Sequence, residues 1–201
     1  QPDVASTKAA ALKFLAEGCP KPDFTENFIG NVNMGEAEVT IAPCIKSDTL
    51  MGALRNLFAS IKPGDYFALD AFLPFDGEGR REALEVIRHG VADKLGVVSC
   101  LEIGPRYLHS TGQLQKGGTN NGVFLMVSAN ELKDIPLRHV EPESLGMLAR
   151  TQAAADLSIL IERGRRCMHL HLPDNSGVTI RALGDAVMKV LDEIERERAA
   201  E

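Results

Sequence analysis

Two apolar runs and the polar segment between them decide how this chain folds. Val97-Val98-Ser99-Cys100-Leu101 reads as a buried strand, and Val123-Phe124-Leu125-Met126-Val127 as another. Between them lies Gly104-Pro105-Arg106-Tyr107-Leu108-His109-Ser110-Thr111-Gly112-Gln113-Leu114-Gln115-Lys116-Gly117-Gly118. Near-continuous apolar runs of this length are the mark of strands covered on both faces, as in parallel sheets. A segment that only packed would hold Leu, Ile and Ala where this one holds Arg, His, Ser, Thr, Gln and Lys. Ligands in open α/β sheets bind outside the carboxyl ends of strands, which is where this segment falls.

The alternation continues on either side. Tyr66–Leu73 reads as a strand, residues 78–95 as a helix stopped at Gly96, and Val97–Ile103 as a strand. Residues 144–163 read as a helix capped by Ser144 and stopped at Gly164, Arg166–Leu172 as a strand, and residues 179–198 as a closing helix. Upstream, a helix runs to about Ile61 from a cap at Ser47 or Asp48, with Leu50, Leu54, Leu57, Phe58 and Ile61 at helical spacing. Residues 5–17 form a short helix, residues 19–27 are irregular, and residues 28–42 make a small antiparallel hairpin. The expected fold is α/β: a three-layer α/β/α sandwich around a mainly parallel sheet. Residues 47–201 form the main module, and residues 1–46 an N-terminal extension of helix and hairpin.

Composition narrows the function classes. The chain has 201 residues, 44% of them hydrophobic and 25% charged, which suits a globular protein with a sizeable core. A formal charge of −6 is wrong for a sequence-independent nucleic-acid binder, which needs a basic face. No apolar run reaches the roughly 20 residues of a membrane-spanning helix. Cys19, Cys44, Cys100 and Cys167 show neither Cys-x-x-Cys pairing nor metal-ligand spacing, so reduced thiols and a cytoplasmic setting are expected. The chain starts at Gln1 rather than Met, which fits a processed or excised piece.

Within the polar segment, His109 is the side chain able to exchange protons near neutrality. Ser110 and Thr111 fall at the start of a short helix, where free N–H groups favour anions. Arg106 adds a forked charge and Lys116 a point charge. The competing reading is a capped helix with a surface histidine and a solvated lysine. His169 and His171 alternate with Leu170 and Leu172 and are expected to be edge or core histidines. His89 is expected to face solvent from an amphipathic helix. Arg163, Arg165 and Arg166 are candidates to bind phosphate, but they sit at a helix C-terminus, which attracts cations in any case.

Residues 104–118 resemble the signature of the phosphoglucose isomerase part of bifunctional transaldolase/phosphoglucose isomerase proteins. Pro63-Gly64-Asp65-Tyr66 resembles the strand entry before that signature. Leu145-Gly146-Met147-Leu148, Gln152-Ala153 and Arg163-Gly164-Arg165-Arg166 resemble the family's terminal helix and strand. The resemblance spans about residues 61–172 and leaves the first 45 residues unmatched. It implies a sugar isomerase (SIS) fold and interconversion of glucose 6-phosphate and fructose 6-phosphate. On it, His109 helps to open the sugar ring, and Arg106, Ser110, Thr111, Gln113 and Lys116 bind the sugar phosphate. No metal or organic cofactor is implied. The implied partner is the rest of the isomerase, since a complete enzyme has a preceding SIS domain that holds the phosphate; neither nucleic acid nor membrane is expected.

The chain departs from the family where Gln115 replaces a histidine and Ala149 replaces a helix-borne lysine, with Arg150 adjacent. Those departures leave a second expectation, a non-catalytic sugar-phosphate-binding or interaction module with an SIS-like fold.

Overall fold

A computed structural model describes residues 2–28, 35–74, 77–138 and 144–200. Its elements in chain order are α1 (Pro2–Glu17), β1 (Phe24–Asn27), β2 (Glu36–Ile41), α2 (Leu50–Ala59), β3 (Tyr66–Phe72) and α3 (Arg80–Leu95). They continue with β4 (Val98–Ile103), a 3-10 turn (Arg106–His109), α4 (Thr111–Gly117), β5 (Gly122–Ala129), α5 (Leu145–Glu162), β6 (Arg166–Leu172) and α6 (Gly177–Ala200).

The six strands form one sheet in the order β1-β2-β6-β5-β3-β4. Strands β6, β5, β3 and β4 run parallel, as the alternation of strands and helices after Asp65 requires. The four strands expected from the sequence are all present, and they share one α/β sheet. Every residue of β5 is buried, as is every residue of β3 and β6 after the first. Since successive side chains point to opposite faces, both faces of these strands are covered. Helix α6 packs on α2 and α3, and α5 on α1 and α4.

The N-terminal hairpin does more than precede the sheet. Its strand β2 pairs antiparallel with β6, so β1 and β2 extend the sheet on that side. The chain expected to be irregular at residues 19–27 contains β1, held by the Asp23 carboxylate, which accepts from the Ile41 amide at 2.7 Å. Residues 29–34, where the first half of the hairpin was expected, lie outside the described residues.

Two helix starts differ from the sequence reading for local reasons. Thr49 caps α2, its hydroxyl accepting from the Gly52 amide at 3.2 Å, while Ser47 closes the preceding turn on Thr49. Helix α3 starts at Arg80 rather than at residue 78, because Glu78 adopts φ 54° and its carboxylate accepts from the Gly177 amide at the start of α6. Ser144 caps α5 as expected, accepting from the Met147 amide at 3.1 Å. All four cysteines are free thiols, and among the described residues no helix is long and apolar enough to cross a membrane.

Candidate functional site

The polar segment leaves the carboxyl end of β4, at the edge of the parallel sheet. Gly104 starts it because there is no room for a side chain: a Cβ there would meet the Phe72 ring at 2.7 Å. The next residues divide cleanly between an inner and an outer side.

The inner side is a buried polar network. The Tyr107 hydroxyl donates to Asp156 Oδ2 at 2.9 Å, and Lys116 Nζ donates to Asp156 Oδ1. Lys116 and Asp156 both have side chains with no exposed surface. Gln115 Nε2 donates to Asp70 Oδ1 at 3.0 Å, and Arg165 donates to the carbonyls of Lys116 and Gly118 at 2.6 and 2.7 Å. Burial first, and then the Asp156 charge, push the Asp70 carboxyl well above its usual range. Asp70 Oδ2, Gln115 Oε1 and Arg165 Nε are the three atoms of this network with no hydrogen-bond partner. Protonation of Asp70 removes the buried charge, so the unpaired Oδ2 is a neutral group and costs less than a bare carboxylate oxygen would.

The outer side carries Arg106, His109, Ser110 and Thr111, all exposed. Gln113 is half-buried and donates to the Leu108 carbonyl at 3.0 Å, and the Ser110 hydroxyl donates to the Tyr107 carbonyl at 3.3 Å. Four of the six residues singled out in the sequence thus face solvent together, and Gln113 braces the turn beneath them. Lys116 stands apart, held inside by Asp156. Helix α4 is seven residues long and has no side-chain cap, so its amide dipole is short. The bulk of the segment's polarity serves to fix the loop.

Beside this loop lies a 370 Å³ crevice lined by Phe72, Leu73, Pro74, Gly104, Asp134 and the start of α5. Strand β3 leads through α3 to β4 on one side, while its neighbour β5 leads through α5 to β6 on the other. That divergence is the switch point at which open α/β sheets bind ligands. The start of α5 is already served by a protein carboxylate. Asp134 Oδ1 accepts from the Gly146 and Ile135 amides, each at 2.8 Å, and the Ser144 hydroxyl bond holds Asp134 below the usual carboxylate range.

A second polar centre sits where the antiparallel strands join the parallel ones. Register aligns Thr25 on β1, Glu38 on β2, His171 on β6 and Ser128 on β5 as successive partners in one row across the sheet. Arg150 from α5 lies over this row, donating to Glu38 Oε2 at 2.5 Å and to His171 Nε2 at 3.1 Å. Ser128 Oγ is 2.7 Å from both His171 Nδ1 and His169 Nε2.

A guanidinium can only donate, so His171 Nε2 is the acceptor and Nδ1 carries the proton. Nδ1–H then donates to Ser128, and the Ser128 hydroxyl donates to His169 Nε2. Asn130 Oδ1, also 3.1 Å from His171 Nε2, is best assigned as the amide nitrogen with the side-chain amide turned over. Burial lowers both histidines, His169 to about 3 with help from His171, and His171 to about 4 with help from Arg150. They are neutral at pH 7. As the sequence suggested, they are core histidines, but polar ones in a fully directed chain.

Glu38, Arg150 and His171 form part of the wall of a 660 Å³ cleft closed on its other side by residues from Phe14 to Thr25. None of the six residues singled out in the polar segment lines this cleft or the crevice. Among the described residues, no group of three or more His, Cys, Asp or Glu side chains is arranged to hold a metal ion.

Asp70, Asp156 and Glu38 escaped the sequence reading, and Arg150 entered it only as the neighbour of Ala149. The signal was present for the first two, as single acids inside the otherwise apolar runs Tyr66–Phe72 and Ala153–Leu157. Buried acids of that kind require a partner. For Glu38 and Arg150 the local sequence is ordinary, and only the strand register brings them together.

No family model matches the chain, and no curated protein does. Among solved structures, hypothetical protein TT0462 from Thermus thermophilus is similar with a TM-score of 0.58 and 19% identity. The match covers 71% of this chain and 38% of that one, so this chain corresponds to well under half of that protein. At that identity the likeness concerns the fold alone, and it agrees with an α/β architecture.

Proposed function

We propose that the chain is an SIS-type module of a glucose-6-phosphate isomerase, part of a transaldolase/phosphoglucose isomerase protein, with a three-layer α/β/α sandwich fold. One observation carries the reading. His109 stands exposed beyond the carboxyl end of β4, on a turn whose inner residues Tyr107, Gln115 and Lys116 are locked to the sheet and α5. An imidazole that is both accessible and rigidly mounted is what proton transfer to a bound sugar requires.

In this reading, protonated His109 gives its proton to the ring oxygen of glucose 6-phosphate as the C1–O5 bond breaks. The C1 hydroxyl loses its proton to water and becomes the open-chain aldehyde. Arg106, Ser110, Thr111 and Gln113 orient the sugar, and Lys116 acts from behind by fixing the loop. The groups that hold the phosphate belong to the preceding SIS domain implied by the resemblance, and a carboxylate moves the proton from C2 to C1.

Two observations favour the alternative, a binding module without chemistry. Lys116 is consumed by Asp156, and the amides at the start of α5 are taken by Asp134 rather than left for a phosphate.

A coupled isomerase assay separates the possibilities. The 201-residue chain alone is expected to show no turnover, and in the assembled enzyme His109→Gln is expected to lower kcat by about a hundredfold or more. Full activity of the His109→Gln enzyme refutes the catalytic role. Robust turnover by the isolated chain refutes its being one part of a composite site.

A further inference from the structure

We infer that the 660 Å³ cleft between the Phe14–Thr25 segment and α5 is a binding site for a small neutral polyol, such as an unphosphorylated sugar, gripped by Glu38 and Arg150. This goes beyond the proposed isomerase site and rests on different residues. Nearly half of the cleft wall comes from residues 14–38, all of which lie outside the family resemblance.

The ligand class follows from how the charges are disposed. Glu38 is paired with Arg150, while the Asp134 carboxylate, held charged by its bonds at the start of α5, is matched in number by the Lys21 cation in the same wall. The Glu131 carboxylate accepts from Asn175, and burial raises its pKa. His171 is neutral. The charges are therefore largely compensated before a ligand arrives, which disfavours a strongly charged guest such as a phosphate.

What remains are directed donors and acceptors around the row Thr25–Glu38–His171, all held at fixed positions by strand pairing. Glu38 accepts hydroxyl protons and the Thr25 hydroxyl does either, a combination that grips adjacent hydroxyls on one sugar edge. Phe14, Pro20 and Pro22 supply apolar wall for the C–H face of the same ring. The volume lies within the range of small-molecule sites.

Titrating the full chain with D-glucose and D-sorbitol, with NMR detection of backbone amides and of the Arg150 and His171 side chains, tests this. Saturable shifts centred on Glu38, Arg150 and His171 are expected at millimolar probe. Weakening by about tenfold is expected in Glu38→Gln, the loss of one bond to a charged group. Thr25→Val, an exposed change, should weaken binding less and guards against a folding defect in the first variant.

No saturable shift from either neutral probe overturns the inference, as do shifts unaffected by both variants. Glucose 6-phosphate in parallel keeps the two sites separate. Shifts from it confined to residues 104–118, with none from neutral probes, overturn the cleft and leave the isomerase reading standing. Cleft shifts from glucose, with none at 104–118 from the phosphate, do the reverse.

Discussion

Asp156 accepts from Tyr107 and Lys116 with no exposed surface, so each of its partners is expected to matter beyond its own size. Removing one member of a buried ion pair leaves the other charge stranded, a cost of about 3–5 kcal/mol. Lys116→Met should therefore destabilise the chain by about that much in urea unfolding, and pairing it with Asp156→Leu should recover part of the loss. A Lys116→Met variant within about 1 kcal/mol of the parent would mean that water reaches Asp156.

Asp70 behaves in the opposite sense. Its folded pKa is raised, so the folded state binds the extra proton and stability falls as pH rises from about 4 toward that folded value. Asp70→Asn keeps the shape and removes the ionisation. The variant should therefore gain on the parent progressively as pH rises above about 4 in urea unfolding. A pH-independent difference between the two would show that Asp70 titrates normally. None of this network was legible as such in the sequence. Lys116 read as a surface charge, because a lone Lys beside two glycines carries no sign of an acid on a distant helix.

At the scale of elements, the parallel strands were legible because their apolar runs are continuous and their helices end on glycine. Gly18, Gly96 and Gly164 adopt the left-handed φ of 89°, 68° and 65° that such endings use. Strand β1 was missed because Phe24-Thr25-Glu26-Asn27 alternates over only four residues, too few to distinguish from loop. The contact between the α3 and α6 starts was not legible either, since it depends on Glu78 reaching Gly177 from a remote part of the chain. A Cβ at residue 177 would overlap the Glu78 carbonyl. Gly177→Ala should cost about 2 kcal/mol or more and loosen the first turn of α6, visible as faster amide exchange near Thr179. Unchanged exchange there would indicate that the 77–80 turn moves aside freely.

Over the whole molecule, acid sensitivity should begin above the carboxylate range. His169 and His171 are lowered to about 3 and about 4, whereas the unfolded chain protonates them near 6.5. The stability due to their neutral forms is fully present above about pH 6.5 and is lost as pH falls from there toward about 4. Asp70 contributes an opposite slope over the same window, so the comparison between variants carries the information. His171→Gln should flatten the loss by about 1.4 kcal/mol per pH unit between about pH 6 and pH 5. Parallel curves for parent and variant would mean that His171 protonates normally in the folded chain.

The α/β class of the molecule was legible from residues 66–172. The second polar centre was not, because the row Thr25–Glu38–His171–Ser128 is assembled from four strands that no local pattern connects. The exposed position of His109 fits both readings of it, a proton-transfer group at a strand end and a surface histidine. The central claim is that the outer face of residues 104–118 meets a sugar phosphate. NMR titration of the chain with glucose 6-phosphate tests it most directly. Weak, saturable shifts are expected at Arg106, His109, Ser110 and Thr111, lost in His109→Ala, with the Lys116 side chain unmoved. Shifts confined to residues outside 104–118, or none at millimolar ligand, would contradict it.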